Sequence, residues 1–175
     1  MKTIGVVRRI DDLGRIVIPK EIRKTLRIKD GESVEIFLNS NNIVLKKYSP
    51  LKELPCFYKD YVDSIYSEIG CSVLIVDRDK IVAVSSDMKK KYLNKSISVK
   101  LDEIIQKRAI VSSRTISKLS IVDEIVESAG YVISPIISNG DALGAVIIFS
   151  VSSEIDDFVI KTGVIASRFL EKYIE

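Results

Sequence analysis

The feature that most constrains this chain is a proline seated between two runs of opposite habit, Arg15-Ile-Val-Ile18 before it and Lys20-Glu-Ile-Arg-Lys-Thr-Leu26 after it. Pro19 has no N–H to give to a β ladder, and its fixed φ suits the opening of a helix. The β-branched run is therefore expected to be a strand ending at Ile18. Pro19 to Leu26 follows as a helix of about two turns, with Ile22 and Leu26 on one apolar face and Arg23, Lys24 and Arg27 toward solvent. Upstream, Thr3 to Ile10 is β-branched enough for a strand, and Asp11-Asp12-Leu13-Gly14 supplies a turn with Gly14 free to take positive φ. Downstream, Lys29-Asp30-Gly31-Glu32 reads as a turn. Val34, Ile36 and Leu38 then alternate with Glu35 and Phe37, and Asn39 to Asn42 closes a hairpin onto Ile43 to Lys47.

Four short strands and one short helix in about fifty residues bury too little apolar area to stand alone, so this part of the chain is expected to dimerise. It is also the cationic part. Arg8, Arg9, Arg15, Lys20, Arg23, Lys24 and Arg27 fall within twenty residues, spread over every local element rather than run together as a tail. Residues 1–50 carry a net charge of +5 and residues 51–175 a net charge of −2, which hides inside an overall +3. A polyanionic partner is thus expected to meet the N-terminal part, with phosphate neutralisation giving affinity and bidentate arginine giving base preference.

The chain has no histidine. That removes Ser-His-Asp and Cys-His nucleophile schemes, histidine-ligated zinc and the commonest general base near neutral pH, so no enzyme activity and no cofactor is expected. Cys56 and Cys71 lack metal-ligand spacing and are read as structural thiols in a reducing, cytoplasmic setting. The longest apolar run, Ala142 to Val151, is about half a membrane span, so no membrane partner is expected.

The stretch Gly5-Val-Val-Arg-Arg-Ile-Asp-Asp-Leu-Gly-Arg-Ile-Val-Ile-Pro-Lys-Glu-Ile-Arg-Lys-Thr-Leu26, followed by Val34-Glu-Ile-Phe37 and Ile43-Val-Leu-Lys-Lys-Tyr48, resembles the AbrB-type DNA-binding domain. The resemblance implies a swapped-hairpin β-barrel in which two chains interleave on double-stranded DNA. It carries the DNA-contacting positions onto Arg8, Arg15, Arg23 and Lys24; Arg9, beside Arg8, is expected as a backbone contact. Lys24 stands where relatives place a second arginine, and it keeps the charge without the bidentate fork.

Ser49-Pro50-Leu51 breaks both periodicities, which divides the chain into a DNA-binding domain at 1–50 and a second domain at 51–175. Leu54, Tyr58, Tyr61, Ile65 and Ile69 repeat at helical spacing up to Gly70, and this helix is expected to join the two domains. Strands are expected at 71–77 and 80–85, helices at 89–93 and 101–110, and a hairpin at 131–137 and 142–150 around Asn139-Gly140-Asp141. A closing helix over 154–173 carries an apolar stripe of Ile155, Phe158, Val159, Ile165, Phe169 and Leu170, while 112–129 has no readable period. This order is α+β and resembles a GAF-type sensor domain, through Val-Leu-Ile-Val-Asp77, Pro135 to Asp141 and Leu143 to Phe149. Taken whole, the chain resembles AbrB-family transcription regulators of endospore-forming bacteria. That implies activation or repression of late forespore genes from a nucleoid-associated position, a homotetramer joined through the C-terminal domain, and room there for a small-molecule effector of unknown identity. An antitoxin with the same barrel, or a metabolite-sensing switch, are the alternatives.

Overall fold

The computed structural model describes residues 5–28, 30–48, 55–85, 88–151 and 153–174. Thr3, Lys29, Ser49-Pro50-Leu51 and Leu54 lie outside the described residues. The chain divides into two compact units, Met1–Tyr48 and Ser49–Glu175.

In the first unit, helix α1 (Lys20–Thr25) starts where Pro19 ends the preceding run, with Pro19 as the N-cap residue. It stops in a Schellman motif: Arg27 N–H donates to the Lys24 carbonyl at 3.1 Å and Ile28 N–H to the Arg23 carbonyl at 2.8 Å. Arg27 takes the left-handed conformation (φ 51°) that glycine usually fills. Strands β1 (Val34–Asn39) and β2 (Asn42–Lys47) form the expected antiparallel hairpin, with Ile36 opposite Leu45 and Leu38 opposite Ile43.

Two expectations fail within this unit. Among the described residues, neither the run up to Ile10 nor Arg15 to Ile18 is a strand, because one chain offers them no ladder partner. The apolar alternation of the hairpin is also left largely uncovered: Val34 and Leu45 are half-buried, but Ile36, Leu38 and Ile43 are exposed, Leu38 to 84%, and so are Val7, Leu13 and Val17.

The second unit is a five-stranded antiparallel sheet in the order β4-β3-β7-β6-β5, made of β3 (Ser72–Asp77), β4 (Lys80–Val84), β5 (Val111–Val122), β6 (Ile125–Ser138) and β7 (Asp141–Ser150). Helices α2 (Pro55–Ile69) and α5 (Asp157–Ile174) cover one face, and α3 (Lys89–Tyr92) and α4 (Val99–Gln106) the other. Because β3 and β7 are buried on both faces, their sequences are almost continuously apolar rather than alternating. Val73, Ile75, Val146 and Ile148 pack toward α2 and α5, while Leu74, Val76, Ile147 and Phe149 pack toward α3 and α4.

The Asn139-Gly140 turn joins β6 to β7 with both residues at positive φ (49° and 82°), the two-residue hairpin geometry that matches strand twist. The stretch without readable period is β5 and the start of β6. The helix expected to join the domains, α2, belongs to the second unit, where Tyr58 and Val62 are buried and Gly70 ends it at φ 64°.

The α5 stripe divides in two. Val159, Gly163, Ala166, Ser167 and Leu170 meet the sheet, whereas Phe158, Ile165 and Phe169 do not. The approach is close because of small residues. A Cβ on Gly163 would stand 2.8 Å from Val132 Cγ1, and the Ser134 and Ser167 hydroxyls are hydrogen-bonded at 2.7 Å. Glu171 is buried on the same helix because its Oε1 accepts the Ile137 N–H (2.9 Å) at the β6 bulge and its Oε2 accepts from Arg168 (2.9 Å).

Candidate nucleic-acid interface

The candidate site is built from three local devices in the first unit. The first is the turn at Asp11 to Arg15. Asp11 Oδ1 accepts the N–H of Leu13 (3.1 Å) and of Arg15 (2.7 Å), and Oδ2 accepts from Arg15 Nε at 2.8 Å. Backbone bonds from Asp11 N–H to the Arg15 carbonyl (3.1 Å) and from Gly14 N–H to the Asp11 carbonyl (3.0 Å) close it, with Gly14 at φ 74°. One carboxylate thus shapes the turn and aims the arginine beside it. The Arg15 bonds hold the Asp11 carboxyl below its ordinary range, against a small opposing effect of burial. The Arg15 side chain itself stays 71% exposed.

The second device is α1, which carries Arg23 and Lys24 on one short turn. Arg23 is not simply solvent-facing: its Nη1 donates to Asp30 Oδ1 at 2.6 Å, and its Nε is buried with no hydrogen-bond partner. Lys24 is exposed. The third is the extended run that holds Arg8 and Arg9, both exposed. Among the described residues, Arg8, Arg9 and Lys24 have no ion pair, and no hydrogen bond joins any two of the five candidate cations. They belong to one unit, with Arg15 and Arg23 each oriented by an aspartate. The reading of residue types missed Asp11 and Asp30 as positioning groups. Their turn-forming role was visible, but the Asp11 Oδ2 and Asp30 Oδ1 contacts to arginine form only once the unit is folded.

In the second unit, Glu127 on β6 accepts from both the Tyr92 hydroxyl and the Lys91 ammonium, which ties α3 to the sheet. Burial raises the Tyr92 phenol well above its ordinary range, and Glu127 adds to that; burial also acts to raise the Glu127 carboxyl, but the Lys91 and Tyr92 bonds outweigh it and leave it lowered. On that face Tyr92, Leu101, Ile105 and Phe149 fill the interior. Among the described residues no group of acidic or cysteine side chains is placed to hold a metal. Among the described residues no helix is long and apolar enough to cross a membrane.

A cationic, incompletely covered small unit followed by a sheet sandwiched between helices is the layout of a two-domain transcription regulator. Residues 53–175 match the family model described as stage V sporulation protein T C-terminal, transcription factor, and residues 7–53 match that of antidote-toxin recognition MazE, bacterial antitoxin. Stage V sporulation protein T of Bacillus subtilis (strain 168) is 47% identical over 100% of this chain and 99% of its own length. Transition state regulatory protein AbrB of the same organism is 32% identical over 54% of this chain and 96% of its own. The chain belongs to the stage V sporulation protein T family. Among solved structures, the cofactor-binding GAF domain of the nutrient sensor CodY from Clostridium difficile superimposes with a TM-score of 0.52 at 13% identity, over 89% of this chain and 94% of that one. The cyanobacteriochrome receptor PixJ does so with a TM-score of 0.57 at 14% identity, over 73% and 98%. At such identities they establish the GAF-like fold of the second unit and nothing about its ligand.

Proposed function

We propose that two chains complete the first unit as an interleaved, swapped-hairpin barrel, and that this dimer grips double-stranded DNA through Arg8, Arg15, Arg23 and Lys24 of both chains, with Arg9 on the backbone. The observation that carries the grip is the disposition of the cations. They stand at the surface of the unit, and Arg15 is aimed outward by a turn built on Asp11. The unpaired runs before Ile18 and the bare face of the β1-β2 hairpin are what an interleaved partner would cover. Arginines 8, 15 and 23 can offer forks to guanine or phosphate, whereas Lys24 offers charge alone. With no long recognition helix, part of the selectivity rests on DNA shape.

The C-terminal domain expected at residues 51–175 acts in this reading as the assembly and regulatory half. Its α5 leaves Phe158, Ile165, Phe169 and Tyr173 exposed at helical spacing. Phe169 and Tyr173 stack with Tyr61 and Phe57 of α2 at centroid distances of 5.4 and 4.8 Å. A second copy seated on this aromatic strip joins two DNA-gripping dimers into a tetramer. Within the cytoplasm of the forespore, such an assembly raises or lowers transcription of late sporulation genes. An antitoxin reading is disfavoured because the chain continues into a folded sheet unit rather than a short toxin-wrapping tail.

The test is binding to a promoter-length duplex across a salt series, beside Arg15→Ala and Arg23→Ala. The logarithm of affinity should fall linearly with that of salt, and each variant should flatten the slope by about 0.9 for every phosphate it no longer neutralises. Unchanged affinity in folded variants would refute the assignment of these residues.

A further inference from the structure

The charge balance of the two halves directs attention to the first unit alone, but charge in the second is not evenly spread. Met88 to Lys100 holds five lysines and no carboxylate, inside a half of the chain whose net charge is −2. The fold adds a sixth cation to the group. Strand β4 is an edge of the sheet, and the segment after α3 is bonded along it: Ile81 N–H donates to the Lys95 carbonyl (3.0 Å), Asn94 N–H to the Ile81 carbonyl (2.9 Å), and Ile97 N–H to the Asp79 carbonyl (2.9 Å). Lys80 bridges Ser96 in the same run. Lys80, Lys89, Lys90 and Lys95 therefore share one edge of the unit.

All four are exposed, and none has an ion-pair partner among the described residues. Lys91, the neighbour that does have a partner, is held by Glu127 and so anchors the one-turn α3 that displays the others. Two acidic turns border the patch, Arg78-Asp79 directly before Lys80 and Asp123-Glu124 at the start of α4, where Asp123 Oδ1 accepts the Val99 N–H at 3.4 Å; among the described residues neither forms an ion pair with any of the four. Four like charges held together contribute nothing to folding and repel one another. Their use lies in a partner. They are lysines rather than arginines, compact charges suited to phosphate rather than to forked recognition of base edges.

We propose that this β4–α3 edge is a second, sequence-independent contact surface for the phosphate backbone of duplex DNA. The inference rests on the DNA-binding reading above. The first unit of the same chain holds duplex at high local concentration, up to about the millimolar range for short tethers, so weak lysine contacts add measurably.

The test compares the full chain with a variant carrying Lys80→Gln, Lys89→Gln, Lys90→Gln and Lys95→Gln on one promoter-length duplex over a salt series, with Arg15→Ala alongside. The four positions are exposed, and an unchanged melting temperature verifies that the variant folds. If two phosphates are no longer neutralised, the log–log salt slope should flatten by about 1.8 and binding should weaken roughly thirtyfold at about 0.15 M salt. Superimposable curves for variant and wild type, with Arg15→Ala impaired, overturn this proposal while leaving the grip of the first unit intact. They would move the lysine edge to an acidic protein partner. Failure of the wild-type chain to bind at low salt overturns both.

Discussion

Substituting Leu38 by Asp separates a chain that is complete by itself from one whose first unit is half of a barrel. In the single chain Leu38 is 84% exposed, directly opposite the exposed Ile43. A surface substitution at such a site changes stability by no more than about 0.5 kcal/mol. If a second chain covers this face, each Leu38 contributes about 1.5–3 kcal/mol of burial, and a two-fold interface holds two copies. The loss is then ~3–6 kcal/mol before the cost of desolvating a carboxylate is added, which weakens association by about two to four decades. Light scattering after size exclusion over a dilution series reads this directly. The wild-type chain should run at four times 19.6 kDa and Leu38→Asp at two times, held by the second units alone. Phe169→Glu, on the exposed α5 strip, should also halve the mass, and the double variant should run as a monomer. A Leu38→Asp protein with the wild-type mass and melting temperature would refute the interleaved barrel.

Asp11→Ala removes a negative charge from the proposed DNA-gripping surface, so long-range electrostatics alone would strengthen binding. The turn geometry gives the opposite sign, because Arg15 loses its support, and affinity measured by salt titration should fall toward that of Arg15→Ala. Gly144→Ala should cost at least the top of the roughly 1–3 kcal/mol overpacking range in thermal or urea melts, since its Cβ would lie 1.9 Å from the Val76 carbonyl oxygen, a backbone atom of the neighbouring strand. Burial pushes the Tyr61 phenol up to about 12, with its hydroxyl donating to the Ala166 carbonyl at 3.2 Å. Below about pH 10 the phenol is protonated in both folded and unfolded chains and this stability is fully present. Between about 10 and 12 only the unfolded chain ionises, so stability falls as pH rises, and Tyr61→Phe should make that alkaline fall shallower in denaturation midpoints.

What the sequence made legible follows the proposed assembly rather than the single chain. The β1-β2 hairpin was readable because Val34, Ile36 and Leu38 alternate and Asn39 to Asn42 turns. Yet that alternation records a face that one chain leaves bare. The strands expected before Pro19 carry the same kind of information: β-branched residues suited to a ladder that the single chain does not supply and the proposed partner would. The positions of Arg8, Arg15, Arg23 and Lys24 were legible as a cationic motif. The aspartate supports of Arg15 and Arg23 were not, because the Asp11 Asx turn and the Arg23–Asp30 pair across the end of α1 take their geometry only when the unit folds.

Strand β5 escaped for a different reason. It is an edge strand whose first half, Val111 to Lys118, is largely serine, threonine and charge, and only Leu119, Ile121 and Val122 reach the core. Helix α5 reverses the usual inference from side-chain size. Its tightest approach to the sheet is made by Gly163, Ala166 and Ser167, which an apolar stripe drawn through large residues passes over. Phe158, Ile165 and Phe169 are then free of the sheet, so this eighteen-residue helix satisfies its own sheet with small side chains and keeps large ones outside, where Phe169 stacks on Tyr61 and the proposed second copy would cover the rest. The excess of large apolar residues over what the fold covers, in α5 as in the β1-β2 hairpin, is therefore the most direct mark the sequence bears of the proposed assembly.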